Sequence, residues 1–113
     1  MSERLPAHIE AGAIMRRAEA EGGFATVLRK GDPDRGAMVL ILRERGRLYG
    51  LLERELGADF TYGWVLKRAD DSESAGSFDE KIRRKAQFDA DSWLIELDIA
   101  TPERFIAETT ASG

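Results

Sequence analysis

The segment Phe88-Asp89-Ala90-Asp91-Ser92-Trp93-Leu94-Ile95-Glu96-Leu97-Asp98-Ile99 decides how this chain is read, because it joins a basic helical pattern to the clearest strand in the sequence. From Trp93 onward the side chains alternate. Trp93, Ile95, Leu97 and Ile99 fall on one face and Leu94, Glu96 and Asp98 on the other, the period of a half-buried strand. Upstream, Ser77 and Glu80 stand at capping-box spacing, and Phe78, Ile82 and Ala86 follow at four-residue steps, the buried stripe of a helix whose other faces carry Lys81, Arg83, Arg84 and Lys85. Before that helix, residues 70–77 are small, polar and aperiodic, which predicts a mobile loop.

Working back to the start, Pro6 opens a helix that stops at Gly22-Gly23. Its residues Ala7, Ala11, Ile14, Met15 and Ala18 form one stripe about 100° wide that should lie on a sheet. Phe24-Ala25-Thr26-Val27-Leu28-Arg29 is rich in strand formers, and Gly31-Asp32-Pro33-Asp34-Arg35-Gly36 is turn chemistry, so a hairpin is expected between it and the run from Ala37 to Leu42. That run is apolar at every position and should be central, covered on both sides. Glu44-Arg45-Gly46-Arg47 and Gly57-Ala58-Asp59 make two further turns, giving four strands in an antiparallel meander. In the fourth, Phe60, Tyr62, Trp64 and Leu66 share a face that should cover core or line a groove. After the fifth strand, which can pair with the first and curl the sheet toward a partial barrel, Thr101-Pro102-Glu103-Arg104 starts a short C-terminal helix and residues 108–113 should fray. The expectation is an α+β fold over residues 1–113 as a single domain: N-terminal helix, four-strand meander, second helix, fifth strand and short last helix, the helices on one face of the sheet.

Composition bounds the function. A chain of 113 residues with 42% hydrophobic and 34% charged residues builds one core and stays in solution, and no apolar run is long enough to span a bilayer. There are no cysteines, which removes disulfides, thiolate catalysis and sulfur-ligated zinc, and the N-terminal residues lack a signal-peptide apolar region, so a cytoplasmic location is expected. A net charge of -4 argues against a general nucleic-acid binder, whose footprint is a basic field.

The sequence also resembles a known family. Gly22-Gly23-Phe24-Ala25, Arg29-Lys30-Gly31-Asp32, Leu48-Tyr49-Gly50, Trp64-Val65 and above all Gln87-Phe88-Asp89-Ala90-Asp91-Ser92-Trp93-Leu94-Ile95-Glu96-Leu97 are similar to the bacterial domain of unknown function 1491, with Ala90 where the family often has proline. The resemblance covers nearly the whole chain. It implies an alpha-proteobacterial, cytoplasmic, one-domain protein, and it carries no activity and therefore no functional residue.

Three sets of residues are weighed on their own chemistry. Asp89, Asp91, Glu96 and Asp98 are clustered carboxylates of the kind that hold magnesium in a metal-dependent hydrolase, although Asp89 and Asp91 are also ordinary turn formers. Arg16, Arg17, Lys81, Arg83, Arg84 and Lys85, with Tyr62 and Trp64 as stacking partners, are candidates for a phosphate or nucleic-acid surface, partly cancelled by neighbouring acids. His8, the single histidine, has no sequence-evident nucleophile partner. The phosphate-loop, dinucleotide and nucleophile-elbow motifs are absent, so an enzyme is disfavoured and no cofactor is expected. The leading expectation is a small non-catalytic protein that binds another protein or itself.

Overall fold

An apolar run with no solvent face needs neighbours on four sides, and the run that begins at Met38 has them. In the computed structural model, which describes residues 5–69 and 75–111, the elements are α1 (Ala7–Ala20), β1 (Phe24–Arg29), β2 (Met38–Glu44), β3 (Arg47–Leu56), β4 (Tyr62–Arg68), α2 (Ala75–Phe88), β5 (Trp93–Asp98) and α3 (Pro102–Ala111). The five strands form one mixed sheet in the order β1-β5-β2-β3-β4. β2 pairs antiparallel with β3 and parallel with β5, and β5 pairs antiparallel with β1. The fold is α+β as expected, and the pairing of β5 with β1 is present.

The meander starts at β2, not β1. The expected β1–β2 hairpin does not form, because β5 lies between the two strands and supplies the second neighbour that the apolar β2 requires. Residues 31–36 therefore form a connection anchored to β5 rather than a tight turn: the Asp32 amide donates to the Asp91 carbonyl at 2.8 Å. The sheet stays open, with β1 and β4 as its edges, so the curl toward a barrel is also corrected.

The helices cover both faces of the sheet, where one face was expected. On one, Ala7, Ala11, Ile14 and Ala18 of α1 and Phe105 of α3 pack with Met38, Leu40, Leu42, Leu52, Trp93, Ile95 and Leu97. On the other, Phe78 and Ile82 of α2 pack with Val39, Ile41, Leu51 and Leu94. The alternation of β2 thus sends successive residues into two cores, and Trp93 and Ile95 lie across the sheet from Val39 and Ile41. Since β4 and β5 both run parallel to β2, α2 is a crossover helix between parallel strands, which places it on a sheet face.

Local chemistry sets the ends of these elements. α1 ends as its glycines predict: Gly22 takes φ 84°, and the amide of Gly23 donates to Ala18 O at 3.0 Å. Arg45 and Gly46, at φ 52° and 81°, close β2 onto β3 as a two-residue turn. α2 begins at Ala75, so Ser77 lies inside the helix rather than capping it, and of the loop expected over 70–77 only 75–77 fall within the described residues, where they are helical. α3 continues to Ala111 with Thr109 buried, so the tail expected to fray from Glu108 is helical as far as it is described. No helix among the described residues is long and apolar enough to cross a membrane.

Candidate interaction site

Of the four clustered carboxylates, those of Asp89, Glu96 and Asp98 engage three different partners. Asp89 Oδ1 accepts the Asp91 amide at 3.1 Å in the turn after α2, Glu96 pairs with Arg43 at 3.0 Å, and Asp98 Oδ2 accepts the Gly46 amide at 2.9 Å. Among the described residues no group of three or more histidines or carboxylates is arranged to hold a metal ion. His8 donates from its backbone amide to Pro33 O, and its Nδ1 lies 2.9 Å from the same oxygen, which ties α1 to the 31–36 connection.

The basic set is split by the sheet. Arg17, Tyr62 and Trp64 lie on the α1/α3 side, while Lys81, Arg83, Arg84 and Lys85 belong to α2 on the opposite side. Two of these cations are engaged inside the fold. Arg17 stacks over the Phe105 ring at 3.9 Å and donates to Phe105 O and Thr109 Oγ1. Lys85 reaches both oxygens of the buried Glu53 at 2.5 and 2.7 Å, and Lys67 adds a bond of 2.9 Å to the same carboxylate. Burial pushes the Glu53 carboxyl up, but the bonds from Lys85 and Lys67 outweigh it and hold the group below its ordinary value. Arg16, Arg83 and Arg84 are exposed.

The two stretches on which the family resemblance chiefly rests meet in space. Arg29 donates to Ala86 O at 2.5 Å, to Asp89 O at 2.7 Å, and to Ser92 O and Oγ at 2.8 Å, so one guanidinium closes the C-terminus of α2 and the turn into β5. Trp93 Nε1 donates to Asp32 O at 2.8 Å. Gly31 and Gly36 are pressed against the Asp91 carbonyl and Cδ1 of Trp93, where a β-carbon has no room. The Asp32 carboxylate accepts the amides of Arg35 and Asp34, which hold it below its usual value. This interlock is architecture: the Arg29 guanidinium and the Trp93 indole nitrogen both donate to carbonyls of other parts of the chain.

The far end of the β3–β4 hairpin is different. The turn closes through Gly57 N to Thr61 O at 2.8 Å, and Asp59 Oδ1 accepts both the amide and the hydroxyl of Thr61, which hold its carboxyl low. That geometry puts Phe60 at φ 62°, a left-handed conformation unfavourable for a ring-bearing residue, and leaves it 84% exposed. Leu56 and Tyr62, paired in register, are 52% and 68% exposed. The aromatic row expected to cover core or line a groove does so only at its inner half, where Trp64 and Leu66 pack against the core and Trp64 also lines a groove. Beside it, a groove of about 250 Å³ opens between α1, the hairpin and α3. Ile14, Ala13, Leu5 and Trp64 line it, and the Arg54–Glu10 pair, joined through both nitrogens at 2.7 and 2.6 Å, closes one wall with Arg54 stacked on Trp64 at 4.4 Å. The sequence reading passed over Leu56 and treated Phe60 as a strand residue; the signal available was Gly57-Ala58-Asp59, which moves Phe60 out of the strand and into the turn.

A second exposed apolar group lies on the α2 side, where Phe24 and Leu28 lie along β1 next to a groove of about 220 Å³ lined by Ile41, Ile82, Ala86 and Leu94. No residue of β1 takes a positive φ, so no backbone strain of the kind seen at Phe60 accompanies the exposure of Phe24 and Leu28.

Fold and site together define a one-sheet α+β protein with an aromatic hairpin end. Comparison with known sequences and structures then places it: residues 5–107 match the family described as "Protein of unknown function (DUF1491)", and the chain belongs to that family. A crystal structure of a DUF1491 family protein from Caulobacter crescentus is similar at 30% identity and a TM-score of 0.74, covering 90% of this chain and 94% of the other. An NMR structure of a DUF1491 family protein from the same organism gives the same identity and score over 92% of this chain and 94% of the other. A solution structure from A. tumefaciens is similar at 26% identity and a TM-score of 0.68, covering 85% and 86%. Comparison with curated proteins gives no match.

Proposed function

We propose that this chain is a non-catalytic cytoplasmic protein that works by binding another protein, and that the far end of the β3–β4 hairpin is its recognising part. One observation carries the reading: Phe60 is held at a positive φ with its ring in water, a combination that costs stability twice and gains nothing inside the fold. Leu56 and Tyr62 extend the same surface, and aromatic side chains on a rigid hairpin are efficient anchors because little rotamer freedom is lost when they bind. The test is co-purification from native cells with the parent chain and with a Leu56→Ser, Phe60→Gly double variant. A protein retained by the parent and lost with the variant supports the reading. Identical retention by both contradicts it.

A second reading, a phosphate or nucleic-acid surface, rests on Arg83 and Arg84, which are exposed on α2 and form no ion pair among the described residues. It predicts retention on heparin at low salt that Arg83→Glu with Arg84→Glu removes. Absence of retention at low salt rules it out.

A further inference from the structure

Resting on the protein-binding reading, we infer that a partner of this hairpin is a second copy of the chain, paired antiparallel along β4 about a two-fold axis at Val65. An edge strand presents unpaired amides and carbonyls, and the two edges of this sheet differ. β1 is interrupted by a register shift between Val27 and Arg29, a bulge at Leu28 that disrupts pairing on its outer side. β4 pairs with β3 without a shift from Tyr62 to Arg68. Its outer groups can be assigned: Ala69 N donates to Tyr49 O and Gly57 N to Thr61 O, so odd-numbered residues of this arm turn their amides and carbonyls toward β3. Those of Tyr62, Trp64, Leu66 and Arg68 then turn outward.

Only some two-fold registers satisfy these outward groups, and the one centred on Val65 also matches the side chains. It sets Tyr62 against Arg68 of the second copy and Trp64 against Leu66 of the second copy, with about eight new hydrogen bonds at two per pair. On the α1/α3 side the exposed Tyr62 ring meets the exposed residue Arg68, whose guanidinium stacks at 3.9 Å on Tyr49 of its own copy and donates to Tyr49 O, and the half-buried Trp64 meets the half-buried Leu66. On the α2 side Lys67 of the second copy falls opposite Gly63, whose absent side chain leaves open the way to Glu55, its neighbour on β3. The span is about 10 Å, two strand spacings, within reach of a lysine and a glutamate extended toward each other. In its own copy Lys67 already closes on Glu55 at 2.7 Å and Glu53 at 2.9 Å, so the strip offers matched charges of both signs to its image. Val65 lies on the axis against Val65 of the second copy.

The experiment is the solution mass of the full chain as a function of concentration, for the parent, Val65→Lys, Val65→Glu and an equimolar mixture of the two variants. The expected result is a parent mass rising from 12.6 kDa toward twice that value, each variant fixed at the single-chain mass by like charges meeting on the axis, and the mixture recovering the doubled mass. If Val65→Glu fails to fold beside Glu53, Tyr62→Pro decides: it removes an outward amide while leaving the bonds to β3 in place, and should also stay at the single-chain mass. A parent at the single-chain mass at every concentration overturns the pairing, as does self-association that persists in Val65→Lys or Tyr62→Pro. Neither result touches the protein-binding reading, which its own co-purification decides.

Discussion

The indole nitrogen of Trp93 donates to the carbonyl of Asp32 at 2.8 Å, joining the start of β5 to the connection that leaves β1. This bond explains why a dense set of turn residues does not make a hairpin. The connection is tethered to the chain that enters between the two strands it links, and only glycine fits at positions 31 and 36 because Trp93 and Asp91 occupy the space a β-carbon would need.

Trp93→Phe keeps the ring and loses the bond, so it should destabilise the fold by about 2 kcal/mol. Gly31→Ala, which drives a methyl into the Asp91 carbonyl, should cost about 1–3 kcal/mol. Urea unfolding of the two variants checks both values. A loss under half a kilocalorie in both would contradict the interlock.

Arg29→Lys should not be conservative. A single ammonium cannot satisfy Ala86 O, Asp89 O and the Ser92 oxygens together, so the loss should be about 2–4 kcal/mol, and hydrogen exchange should show the last turn of α2 opening first.

Much of this was legible in the residues. The period-two pattern of β5, the buried stripes of α1 and α2 and the glycine stop of α1 are local signals, and each stands where the sequence puts it. The insertion of β5 between β1 and β2 was not, although its pairing with β1 was, because the contacts among Asp32, Asp91 and Trp93 that accompany it join residues far apart in sequence. For the site, sequence reasoning found Tyr62 and Trp64 but grouped them with a helix that lies across the sheet, since charge and aromatic content carry no information about which face a side chain joins. It also counted Arg17 and Lys85 as available, when Phe105, Thr109 and Glu53 hold them.

Glu53 gives the fold an acid dependence. Its folded carboxyl lies below the ordinary value of 4.5, so its contribution is present above that value and is lost as pH falls through the folded one. Glu53→Gln should be less stable than the parent by about 1–2 kcal/mol at neutral pH, because Lys85 and Lys67 lose their common partner but remain partly in water. The gap should narrow below about pH 4. Thermal unfolding of both proteins across pH 3 to 7 checks this; a gap constant over that range contradicts it.

Phe60→Gly should raise stability by about 1 kcal/mol, since glycine takes the positive φ without strain and no buried contact is lost. A gain in melting temperature together with a loss of binding is the signature of a residue kept for recognition. A loss of stability on this substitution would show that the ring supports the fold.

The most direct measurement places a photo-reactive phenylalanine analogue at position 60, and in a separate chain at position 84, and irradiates each in native cells. Both positions are exposed, one at the hairpin end and the other on the basic face of α2. A hairpin that recognises a protein predicts discrete cross-linked species from position 60 and none from position 84. Cross-links from position 84 alone, or from neither position, would contradict that account.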